Sequence, residues 1–248
     1  MSRFTAQLRV ELQLVARNGE QLLLTLVIPV MLLVFFSVVD VLPTGTDEPV
    51  DFLAPGVLAL AVMSTAMVSL GIGTGFERSY QVLKRLGATP LGRTRLVAAK
   101  IASVMVVELV QFVVLVPAAI GLGWRPDPTG VLVAVAAVLL GTMAFAGIGL
   151  TMAGRLRGEV NLAAVNGLYL VLLLLGGMVI PFAELPGVLR GVAYVLPSGA
   201  LADVLRDSLD GGGAGSGGGG VRVGESWAVL AAWAAAAPLV ARRLFRFQ

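Results

Sequence analysis

Histidine and cysteine are both absent from the 248 residues. That excludes disulfides, thiol catalysis, zinc sites of the usual kind and any histidine proton relay. Charge is scarce as well, at 13% of residues, where a soluble domain carries about a quarter. No G-x-x-x-x-G-K-[ST] phosphate loop occurs, and no paired carboxylates, nucleophile–base set or metal-ligand cluster can be assembled from the spacing. Catalysis and bound cofactors are therefore not expected of the chain itself. What fills the composition is apolar: 57% of residues, with a mean hydropathy of +0.91. A water-soluble fold of this length could not hide so much apolar surface, because its exterior must be wetted.

The apolar residues come in blocks of about 20, the length that crosses roughly 30 Å of hydrocarbon. Six spans are expected, at about Leu22 to Val41, Phe52 to Thr74, Leu96 to Leu122, Val131 to Met152, Leu162 to Ile180 and Ser226 to Val240. The fold class is thus an all-α membrane protein forming one transmembrane domain over residues 1–248. The N-terminus is not read as a cleavable signal peptide, since its apolar run begins only near Leu22 after a polar amphipathic segment. Net charge is +3 and the pI near 9.8, but the basic residues flank apolar blocks rather than forming a nucleic-acid patch. With both termini inside, 14 of the 18 basic residues are cytoplasmic, leaving Arg125, Arg190, Arg206 and Arg222 outside. The positive-inside rule favours that orientation.

Four further segments punctuate the spans. Phe4, Leu8, Leu12 and Val15 recur at helical spacing, with Arg3, Arg9, Glu11, Gln13 and Arg17 largely on other faces; residues 1–19 read as an amphipathic helix on the inner membrane surface. The 181–209 segment is interrupted by Pro181, Pro186 and Pro197, which predicts short re-entrant helices in the outer leaflet rather than a span. Residues 211–220, all glycine but for one alanine and one serine, form a flexible loop by composition. The fourth is a basic cytoplasmic loop over 76–95, reading FERSYQVLKRLGATPLGRTR. Val82, Leu83 and Leu86 supply a short apolar face there, and Thr89-Pro90 ends the helix. A short helix lying across the mouths of two spans can pass a push from a soluble partner into both.

The loop motif resembles the membrane subunits of type-2 ABC exporters, the group that includes the daunorubicin-resistance permeases. The matching residues are Glu77-Arg78, then Leu83-Lys84-Arg85-Leu86, then Ala88-Thr89-Pro90-Leu91 and Arg93. Leu53-Ala54-Pro55-Gly56 at the second span and the late prolines are similar too. Ser79, Gln81 and Val82 stand where the family commonly has a second Glu and a Gly-Thr pair. The resemblance implies a bacterial plasma-membrane permease that pairs with a second membrane subunit, identical or paralogous. Two ATP-binding subunits would carry ATP and Mg, docking on Glu77, Arg78, Leu83 to Leu86 and Ala88 to Pro90. Export of a drug, antibiotic, lipid or lipid-linked glycan by alternating access would follow. Without the resemblance, a secondary transporter driven by an ion gradient, or a membrane immunity or assembly factor, remains open.

Polar residues inside spans are costly and mark candidate substrate contacts. Glu108 and Gln111 share a face of the third span and read either as a substrate or gating pair or as an interhelical clamp. Asn166 and Tyr169 share a face of the fifth span and could line a cleft, while Asn161 reads as a helix cap. Met63 and Met67, four apart in the second span, offer an adaptable apolar lining or ordinary packing.

Overall fold

The computed structural model describes residues 3–39, 49–87, 93–209 and 221–244, and among them there are helices and no strand. The chain opens with α1 (Arg3–Arg17) and α2 (Gly19–Val38), followed by the long α3 (Pro49–Ser79) and the short α4 (Val82–Gly87). Next come α5 (Arg93–Gly121), α6 (Val131–Arg155) and α7 (Gly158–Leu175). The last three are α8 (Gly187–Val195), α9 (Pro197–Leu209) and α10 (Val221–Leu244). Five helices are long and apolar enough to cross a membrane: α3, α5, α6, α7 and α10. Most of α2, from Thr25 to Val38, is a shorter apolar helix.

α3 is the central post. Its apolar window is 83% buried, whereas those of the other long helices are 22–44% buried. Small residues allow this. In lipid, helices associate through close packing rather than a hydrophobic force, so interfaces favour Gly and Ala. A Cβ on Gly149 of α6 would lie 2.6 Å from the Met67 carbonyl of α3, and one on Gly71 would lie 3.1 Å from the Gly149 Cα. Gly147 meets Ala237 and Pro238 of α10 in the same way. Within α3, Ser64–Ser69 form a π-helical turn, a one-residue bulge of the kind often found near functional sites.

Several boundaries differ from those the hydropathy predicts. α3 runs on to Ser79, so Glu77 and Arg78 belong to the end of a span helix and not to a loop. Only Tyr80 and Gln81 separate it from α4, with Gln81 at φ 58° closing the turn. α7 stops at Leu175 rather than Ile180, because Gly176 and Gly177 follow; Gly177 sits at φ +63° under the Phe182 ring. Between Pro181 and Leu209 lie a 3₁₀ turn and then α8 and α9, bent by 80° where Pro197 cannot continue the hydrogen-bond ladder. The glycine-rich tract and the Ala88 to Pro90 motif lie outside the described residues.

Candidate functional site

The last two turns of α3 tie four other helices together. Lys100 of α5 is buried, at 4% exposure, and its Nζ lies 2.7 Å from Glu77 Oε1 and 3.0 Å from Glu11 Oε2 of α1. Glu11 is itself 6% exposed and accepts a further hydrogen bond from Gln7 at 2.8 Å. The expected polar placement of Glu11 is therefore corrected: it sits in the stripe of α1 that faces the protein, with Phe4, Leu8 and Val15, while Val10 and Leu14 are exposed. Helical periodicity sees an acid among arginines and misses a lysine 89 residues away in sequence.

Arg78 turns to the other side. Its Nη1 donates to the carbonyls of Ala153 and Leu156, both at 3.2 Å, placing a cation at the C-terminus of α6. Ser79 Oγ accepts from the Gly158 N–H at 3.1 Å and so satisfies one of the orphan donors at the start of α7. Asn161, fully buried on α7, donates from Nδ2 to the Gly71 carbonyl at 2.9 Å. It is thus an interhelical bond and not the helix cap its position suggests; the residue at the N-cap is Arg157. Gly75 leaves the room, since a Cβ there would fall 2.4 Å from Asn161 Nδ2.

From this hub α4 projects outward. Leu83 is its buried anchor, while Lys84 and Arg85 are exposed. Val82, expected on the apolar face with Leu83, is exposed instead, and the Leu86 side chain lies outside the described set. Tyr80 stands beside α4 at 71% exposure, stacked on Phe76 with ring centroids 6.2 Å apart. The loop motif alone does not reveal this exposed aromatic beside two cations.

Deeper along the helices, Gln111 joins three of them. Its Oε1 accepts from Thr65 Oγ1 in the π turn at 2.9 Å, and its Nε2 donates to the Thr25 carbonyl of α2 at 2.8 Å. Glu108 accepts from Thr142 Oγ1 of α6 at 2.7 Å. Both are buried, as are Met63 and Met67, and none of the four borders the main cavity. That cavity, of about 610 Å³, opens between α2, α3 and α7. Asn166 and Tyr169 line it from α7, facing Ser64, Val68 and Ser69 of the π turn and Thr25, Ile28 and Pro29 of α2. The structure thus brings Asn166 and Tyr169 together with the π turn and assigns Gln111 to the frame behind it.

At the opposite end of α3, Arg206 of α9 is 2% exposed. It donates to the carbonyls of Phe52 at 3.2 Å, Gly177 at 2.6 Å and Met178 at 3.2 Å, and its guanidinium lies 3.8 Å from the Phe52 ring centroid. Counting basic residues places Arg206 among exposed outer charges; in the fold it clamps α9 to α3 and to the turn after α7. Gly56 makes the approach possible, as a Cβ there would collide with the Met178 carbonyl.

None of the curated proteins matches the chain by sequence. The family model described as ABC-2 type transporter matches residues 2–209, which takes in α1 through α9 and so the whole hub, the projecting helix and the cavity. An all-helical multi-pass membrane chain is what the permease half of such a transporter needs, and the chain belongs to the ABC-2 type transporter family as its transmembrane subunit, with the ATPase in a separate subunit.

Proposed function

We propose that the chain is the membrane half of an exporter that pairs with a second membrane subunit, identical or paralogous, and couples two ATP-binding subunits to an amphipathic cargo. The observation that carries this reading is the continuity of α3. One end of that helix is bonded to α5, α6 and α7, and through Lys100 to α1, beside the exposed Tyr80, Lys84 and Arg85, and its π turn borders the cavity. A push received on α4 passes the two-residue turn at Tyr80 and Gln81 into α3 and reaches the cavity wall along that one helix. ATP and Mg act on the partner, which drives the membrane pair only if it binds one of its two arrangements better.

The cavity wall mixes Asn, Ser, Thr and Tyr side chains with Ile28, Pro29, Val68, Ile72 and Phe76. That lining supports a drug, antibiotic, lipid or lipid-linked glycan with both apolar surface and hydrogen-bonding groups; a daunorubicin-like drug is one member of the class. The α8–α9 pair supports a re-entrant hairpin in the outer leaflet, α1 a helix on the inner surface, and the basic bias both termini in the cytoplasm of a bacterial cell. An ion-driven carrier is less well supported, since Glu108 packs against Thr142 away from the cavity.

The test is reconstitution with the cognate ATP-binding subunit. The chain alone is expected to hydrolyse no ATP, and the complex to hydrolyse it. Changing Tyr80, Lys84 and Arg85 together to alanine is expected to lower complex formation at least tenfold. A complex that stays assembled and fully coupled after that change would overturn the docking assignment.

A further inference from the structure

A second, smaller cavity of about 290 Å³ opens between α1, α3 and α5, sharing Asn18, Ser69 and Gly73 with the larger one. Among the described residues, the charged groups on its wall are Glu11 from α1, Glu77 from α3 and Lys100 from α5. Two carboxylates against one ammonium leave a surplus of one negative charge. Burial of such a surplus is expensive unless something neutralises it.

The surplus has a definite address. Lys100 Nζ engages Glu77 Oε1, while Glu77 Oε2 is buried and has no hydrogen-bond partner. Thr74, three residues earlier on the same face of α3, is 2% exposed, and its Oγ1 is also without a partner. Both residues line this cavity. Two unbonded oxygens, one of them anionic, are acceptors waiting for positive charge. A proton on Glu77 would neutralise the same surplus, opposed by the ammonium 2.7 Å away, and the experiment below separates proton from cation. A cation is the alternative, and the space admits it together with several waters of about 30 Å³ each.

The charge count also sets the valence. Lys100 offsets one carboxylate and would repel a doubly charged ion. Among the described residues no three or more acidic, His or Cys side chains cluster as a divalent site would need. We propose that this cavity binds a monovalent cation, held by Glu77 Oε2, Thr74 Oγ1 and water at the joint of α1, α3 and α5. The ion completes the neutralisation of the joint, and its binding does not depend on what the transporter carries.

The experiment is thermal unfolding of the full chain in nanodiscs, in chloride salts of potassium, sodium and the bulky N-methyl-D-glucamine at equal ionic strength. Potassium or sodium is expected to raise Tm by about 2–4 °C over the organic cation. Thr74→Val, which keeps the ion pairs, and Glu77→Gln are each expected to abolish that difference; if Glu77→Gln does not fold, Thr74→Val decides. Equal Tm in all three salts overturns the proposal. So does a difference that survives Thr74→Val, which puts the ion elsewhere, or a Tm that follows pH alone, which makes the neutralising species a proton.

Discussion

Lys100 and Arg206 hold opposite ends of α3 by different means, and their variants should fail differently. Lys100 neutralises carboxylates, so Lys100→Met leaves Glu11 and Glu77 facing each other without a cation. Breaking a buried ion pair in this one-sided way costs about 3–5 kcal/mol, less here where Glu77 retains some solvent. Replacing all three residues with apolar ones of similar size should recover most of the loss, because no charge is then stranded. Thermal unfolding of the two variants checks the contrast. Arg206 instead serves three carbonyls on two segments, a task that needs the planar fork. Arg206→Lys should therefore retain only part of the stability, and Arg206→Met should lower the yield of folded protein further, read by size-exclusion chromatography in detergent. Neither residue betrays its role in the sequence. Each looks like one more basic anchor beside an apolar block, since its partners lie 89, 23 and 154 residues away.

At the scale of elements, five of the six expected spans and α4 were legible because length, hydropathy and a local motif carry them, whereas the expected first span, about Leu22 to Val41, is in the fold only the shorter apolar helix Thr25–Val38. The π turn was not, since Ser64–Ser69 has no distinguishing composition and its bulge answers to packing against α6 and Gln111. Its geometry makes a sharp prediction. A π bulge holds one extra residue, so deleting Val68 should leave an unbroken α-helix with both flanks in register. The same deletion at Ala59, in regular helix, rotates everything beyond it by about 100°. Deleting Val68 is expected to preserve folding and complex assembly while reducing coupling of ATP hydrolysis to transport, and deleting Ala59 to abolish folding. The glycines of α6 and α3 offer a second contrast. Gly149→Ala drives a methyl against the Met67 carbonyl and should cost about 1–3 kcal/mol, whereas Gly73→Ala meets open space and should be neutral or mildly stabilising. Denaturation midpoints of the two single variants decide it.

For the whole molecule, the arrangement of charge and the arrangement of the hub point the same way. The α4 helix with Lys84 and Arg85, the junction of α6 with α7 at Arg155 and Arg157, and the last turn of α10 with Arg242 and Arg243 all collect basic residues. The turn before α6 carries Asp127, whose carboxylate accepts from the Thr129 N–H and hydroxyl, both at 2.8 Å; those bonds hold its pKa below the ordinary value. If the first set faces the cytoplasm, Asp127 faces out. Because the chain has no cysteine, single cysteines report on this cleanly. Lys84→Cys and Thr129→Cys are both at exposed positions. In intact cells a membrane-impermeant maleimide is expected to label the Thr129 variant and spare the Lys84 variant, and opening the membrane should then label both. The reverse pattern would turn the molecule over, putting α4 where no cytoplasmic ATPase could reach it.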